Sequence, residues 1–114
     1  MTTTLNNFVS ETQLTTSEVT LISSSSSEKK FIGAATITNT SVSPVEVTFW
    51  RMLTATTGTT ASGGNWFVKK TIPANQTERL DKLLGQVLGN SMKLSGLASV
   101  AGVVNVDISG TTET

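Results

Sequence analysis

The stretch VVNVDISG, residues 103–110, alternates strictly: Val104, Val106 and Ile108 take one side, Asn105, Asp107 and Ser109 the other. Successive side chains of a β-strand point to opposite faces, so this pattern predicts a strand with one face on a core and one in water. The same two-residue period recurs along the chain, broken by clusters of Ser, Gly, Asn and Pro that read as turns. Thr and Val are abundant, and branching at Cβ suits a pleated sheet better than a helix. The expected fold class is therefore all-β: an antiparallel β-sandwich, jelly-roll or Ig-like, of about seven to eight short strands.

Taken in order, Val19, Leu21 and Ser23 share one face of a first strand, and the serine run Ser23 to Ser27 follows as a mobile turn. In KKFIGAATITN, Phe31, Gly33, Ala35 and Ile37 fall on one face. Asn39 to Pro44 turns the chain. In VEVTFWRML, Val45, Val47, Phe49 and Leu53 face the core, while Glu46, Thr48, Trp50 and Met52 face away. TATTGTTASGG, residues 54–64, reads as a hairpin loop, and NWFVKKTI returns as a strand that Pro73 ends. TERLDKLLGQVLGN places Leu80, Leu83, Leu84, Val87 and Leu88 at helical spacing, yet Gly85 interrupts it and Gly89-Asn90 stops it. A short helix and a strand plus turn both bury those leucines; the β surroundings favour the second.

At 114 residues the chain forms one domain, which buries roughly two-thirds of its unfolded surface without staples. We divide it into an N-terminal arm, residues 1–13, and a sandwich, residues 14–114. There is no Cys and no His, which removes disulfides, thiolate sites, and the commonest general base and metal ligand. No metal or cofactor is implied. Eight basic residues balance eight acidic ones, and the only basic doublets are Lys29-Lys30 and Lys69-Lys70. Phosphate binding needs clustered cations, so nucleic acid is not an expected partner. No apolar run spans a bilayer, and the N-terminus carries no secretion signal, so a membrane is not expected either. The tripeptides Asn39-Thr40-Ser41 and Asn75-Gln76-Thr77 match the glycosylation pattern by chance.

Catalysis lacks its usual reagents. Glu78 and Asp81 could serve as a carboxylate pair, but Arg79 and Lys82 interleave with them, which predicts a solvated, compensated cluster. A serine nucleophile needs a base, and with no His only a lysine could act as one. The expectation is no enzyme. The aromatics remain: either each of the pairs Phe49-Trp50 and Trp66-Phe67 puts one ring inward and one outward, or both tryptophans fill the core or cover its edge. Outward Trp is a favoured interface anchor. With the arm, they make Leu5, Phe8, Val9, Trp50, Met52, Trp66 and Phe67 the candidate protein–protein interface. A sugar stacked on Trp50 or Trp66 is the alternative, as in a carbohydrate- or receptor-binding module.

The order of ATITNTSVSPVEVTF, KKTIPANQTERL, LLGQVLGNSMKL and LASVAGVVNVDISGTTE resembles small structural proteins of tailed bacteriophages, over roughly Ile32 to Glu113. The resemblance implies a virion component, made in the host bacterial cytoplasm and acting as an oligomer. Its partners would be the major capsid protein or other virion proteins. The leading expectation is a capsid decoration or cement protein, with a trimer favoured by the symmetry of capsomer joints; a neck or tail component is the alternative. One departure is local: Gly89-Asn90-Ser91 stands where the family has an acidic turn.

Overall fold

The computed structural model describes residues 3–53 and 66–114; the side chains of Glu11, Met52, Leu53, Trp66 and Phe67, and the loop expected at 54–64, lie outside the described part. Among the described residues nine strands form: β1 Thr3–Gln13, β2 Val19–Ser23, β3 Lys29–Asn39, β4 Val45–Leu53, β5 Trp66–Ile72, β6 Gln76–Arg79, β7 Val87–Leu88, β8 Met92–Ala98 and β9 Val104–Glu113. They make two antiparallel sheets, one in the order β1-β9-β3-β6 with β7 also on β3, the other β2-β8-β4-β5. The all-β antiparallel sandwich is as expected from the alternation. The strand count exceeds the expected seven to eight because residues 3–13 add a strand and the two-residue β7 another.

The core lies between the sheets. Val104, Val106 and Ile108 of β9 face it as their alternation predicts, with Ile32, Ala35 and Ile37 of β3 beside them. Val45, Val47 and Phe49 of β4 and Val68 and Ile72 of β5 meet them from the other sheet. Gly96 makes room for Phe49: a Cβ there would sit 2.9 Å from the ring. At the β5/β6 edge, Lys70 and Glu78 pair at 2.8 Å and tie one sheet to the other.

The leucine-rich segment is strand, turn and strand. Leu83 N–H donates to the Leu80 carbonyl, Leu84 to Asp81 and Gln86 to Leu83, a tight three-residue winding that explains the helix-like spacing. Leu80 and Leu83 are buried there. The winding also stays bonded to β3, through Leu80 N–H to Ala35 O and Gly85 N–H to Ile32 O.

Two expectations about facing are corrected. In β3 the ladder to β9 shifts between Ile32 and Ala34, leaving Gly33 as an extra residue. One inserted residue reverses the parity on one side of it. Ile32 is therefore buried, and Phe31 points out of the sandwich instead of into it. A shift between Thr20 and Ile22 in β2 brings Ile22 into the core, with Leu21 partly buried against it. The serine run is also more ordered than a free turn. Ser24 is buried, and its hydroxyl bonds the carbonyls of Gly89 and Met92.

The second correction is Trp50. It lies on the outward side of its sheet, as its parity requires, but is 0% exposed. Alternation says which side a ring takes, not whether that side is covered. In the ladder Trp50 stands opposite Ser95, and the Trp50 indole N–H and the Ser95 hydroxyl are both buried without a hydrogen-bond partner among the described residues. A buried hydroxyl with no partner costs free energy, so Ser95→Ala should leave stability unchanged or raise it by about 1 kcal/mol. Urea denaturation midpoints of the two proteins measure this.

Candidate interaction surface

The outward face of the first sheet is mostly polar: Thr36, Thr38, Asn105, Asp107 and Thr77 project from it, with Thr38 and Thr77 hydroxyls 2.8 Å apart. One row differs. The ladders place Leu5 of β1 opposite Thr111 of β9, Thr111 opposite Phe31 of β3, and Phe31 opposite Val87 of β7. Residues directly paired across antiparallel strands share a face, so these four side chains form one line across four strands. Leu5 is 84% exposed, Phe31 44% and Val87 43%. Three large apolar groups in register, all in water, form a contiguous apolar strip of the kind that marks a contact surface.

The strip has relief. Where β9 passes Gly33, Gly110 comes so close to β3 that no side chain fits. This leaves a depression lined by Leu5, Asn6, Asn7, Gly33, Ser109 and Gly110 on one side of the row. On the other side a second depression, of about 290 Å³, is bounded by Lys29, Phe31, Val87, Thr111 and Glu113. In the next row Lys29 stands opposite Glu113, and Glu113 opposite Thr3. A cation and an anion thus border the apolar strip.

The inward side of the same sheet end holds a separate cluster. Lys30 Nζ donates to Ser23 O at 2.6 Å, lies 3.3 Å from Glu28 Oε1, and sits 5.7 Å from the centre of the Phe8 ring. Glu28 also accepts the Ser25 backbone N–H at 3.1 Å. That backbone bond, opposed by partial desolvation and aided by the Lys30 hydrogen bond and charge, holds its carboxyl below the ordinary 4.5. The sign follows. A depressed folded pKa contributes stability above the unfolded value and loses it as pH falls through the folded one. Carboxyl NMR titration should find the Glu28 midpoint below 4.5, and Glu28→Gln should flatten stability against pH below about pH 5.

The residues expected to form the interface separate. Among those whose side chains are described, Leu5 alone stands fully outward on the strip. Phe8 is half-buried under Lys30, and Val9, 4% exposed, belongs to the core opposite Ile108. Trp50 is covered, which also removes it as a sugar-stacking platform. Met52, Trp66 and Phe67 lie in β4 and β5, and their side chains are outside the described part. The segment expected as an arm over a neighbour is, at residues 3–13, an edge strand paired to β9. Sequence reasoning missed Phe31, Val87 and Thr111. A signal existed: Gly33 and Gly110 interrupt otherwise well-patterned strands, and interior strand glycines mark bulges.

Neither basic doublet makes a patch. Lys29 points outward and Lys30 inward, and Lys69 and Lys70 likewise divide, Lys70 to Glu78. Glu78 and Asp81 are held by different cations, Asp81 by Arg79 at 2.6 Å. Asn39, the first glycosylation match, is fully buried with its amide nitrogen internally bonded.

No family model matches the chain, and no curated protein matches it. Among solved structures it is similar to a chain in the structure of infectious bursal disease virus, Gx strain. That match has 15% identity and a TM-score of 0.46, covering 97% of this chain and 32% of that one. A chain in the structure of the Gt strain of the same virus gives 14% identity and a TM-score of 0.35, with the same coverage. The chain thus spans about a third of the length of those chains. Likenesses this distant assign neither a family nor a function.

Proposed function

We propose that this chain is a structural protein of a bacteriophage virion, a decoration or cement protein that binds the capsid through the outward face of its first sheet. The observation that carries the reading is the exposed row Leu5–Thr111–Phe31–Val87. Phe31 and Val87 are already more than half-buried, so covering all three against a shell protein is worth a few kcal/mol, less than the about 1.5–3 kcal/mol of fully burying each large apolar group. Lys29 and Glu113 beside the row would set orientation more than affinity. The motif resemblance to tailed-phage structural proteins supplies the context, and the chain acts here by surface, without catalysis. Attachment at the neck or tail uses the same face and differs only in the shell partner.

Co-sedimentation with purified particles of the encoding phage tests it. Wild-type protein should be found in particles by mass spectrometry and should rebind stripped heads. Phe31→Glu should lose rebinding at least tenfold while keeping its folded circular dichroism, and Thr36→Glu, on the polar part of the same face, should rebind normally. Absence from particles, or rebinding by Phe31→Glu at the wild-type level, contradicts the proposal.

A further inference from the structure

Among the described residues the sandwich has four sheet edges, and three are guarded. β2 is five residues long and irregular, β6 is four residues long, and β5 carries Lys69 and Lys70. Short length, irregularity and lysines are the usual devices that keep strand edges from pairing with other chains. β1 is different. It is eleven residues long, has β9 as its one ladder neighbour among the described residues, and carries no charge from Thr3 to Ser10. Its register to β9 runs unbroken from Thr3 to Asn7 and shifts only beyond it. The flat part of the free edge is therefore residues 3–7, and its midpoint is Leu5.

We propose that two copies of this chain pair through β1, antiparallel about a two-fold axis at Leu5. A two-fold contact uses the same patch on both copies, so the patch must complement itself. This one does. Centring on Leu5 sets Thr3 against the partner's Asn7, Thr4 against the partner's Asn6, and Leu5 against the partner's Leu5. No like charges meet. All the paired positions near the axis are exposed, so pairing costs the fold nothing. The symmetry also accounts for a leucine that is 84% exposed in the middle of the flat segment. Across the axis the row becomes Val87–Phe31–Thr111–Leu5 followed by its mirror order, one apolar strip eight strands wide. At about 4.8 Å per strand it spans roughly 34 Å.

Five paired residues and two leucines bury less than the ~1,000 Å² of a stable interface, so the dimer is weak in dilute solution. On a particle, neighbours are held at about millimolar effective concentration, where a weak edge contact fills. The inference goes beyond shell binding and does not require it. It also replaces the three-fold symmetry expected from capsomer joints with a two-fold one.

Sedimentation equilibrium from 10 µM to about 1 mM tests it, using the exposed position Leu5, whose substitution leaves the core intact. Wild type should shift towards dimer at the top of the range. Leu5→Glu and Leu5→Lys should each remain monomeric, because like charges face across the axis. Their equimolar mixture should recover association, because Glu then faces Lys. A wild-type monomer at 1 mM, association of Leu5→Glu equal to wild type, or a mixture no more associated than its components would each overturn the two-fold. Particle incorporation by a monomeric wild type would leave the shell reading standing while this one fails.

Discussion

Gly110→Ala should destabilise the protein by about 3–5 kcal/mol, the upper end for a single substitution, although it adds only a methyl group. A Cβ on Gly110 would lie 1.8 Å from the Phe31 carbonyl oxygen, 2.9 Å from the Phe31 carbonyl carbon and 3.0 Å from the Gly33 nitrogen. All three are backbone atoms of β3 at its irregularity, so no side chain can swing aside; the central β9–β3 ladder must part. Gly33→Ala is the matched control. Its nearest neighbours would be 3.8 and 3.9 Å away, ordinary contact distance, and its effect should stay within about 1 kcal/mol. For a domain of this size the difference amounts to a melting-temperature gap of roughly 15 °C. Equal melting temperatures for the two variants would mean that β9 and β3 do not approach as described.

Asn39→Ala should cost about 3 kcal/mol, the second large effect. Asn39 ends β3 and is fully buried, and its side chain ties three segments together. The amide nitrogen donates to Ser43 O at 2.9 Å and Ile72 O at 3.0 Å, with Pro73 O at 3.3 Å. The amide oxygen accepts the Ser41 N–H at 2.9 Å and the Ser41 hydroxyl at 2.8 Å. Truncation leaves one buried and several part-buried backbone groups without this partner, at about 1–3 kcal/mol each where water cannot replace it. Asn39→Asp should be worse at neutral pH, since a carboxylate would face carbonyl oxygens. Its deficit should shrink on acidification, because burial raises the folded-state pKa and protonation then favours the native state. Urea melts at pH 7 and pH 4 measure both claims; a deficit in Asn39→Asp that grows at pH 4 would be inconsistent with the network.

The fold class was legible because strand alternation depends only on local residue order. Val104, Val106 and Ile108 needed no tertiary information to be placed inward. The leucine-rich segment was legible in outcome but not in detail. Its spacing suits one winding as well as a helix, and only bonding to Ile32 and Ala35 of β3 decides between them. The surface was the part least visible. Reading Phe31 as inward followed from treating β3 as unbroken, and one extra residue at Gly33 moved that ring to water. Trp50 failed for a different reason: its parity was right, but coverage of an outer face is a property of the whole chain. Leu5 was recognised, though as part of an arm; its partners Phe31 and Val87 depend on inter-strand register, which no single segment encodes.

The proposed attachment to a particle runs through the outward face of the β1-β9-β3-β7 ladder. A cryo-electron microscopy reconstruction of the intact virion tests it most directly. Density for the sandwich should show Leu5, Phe31 and Val87 turned against the shell and the β2-β8-β4-β5 sheet turned away. A reconstruction that leaves that apolar row facing solvent, with the chain held through another surface, would contradict it.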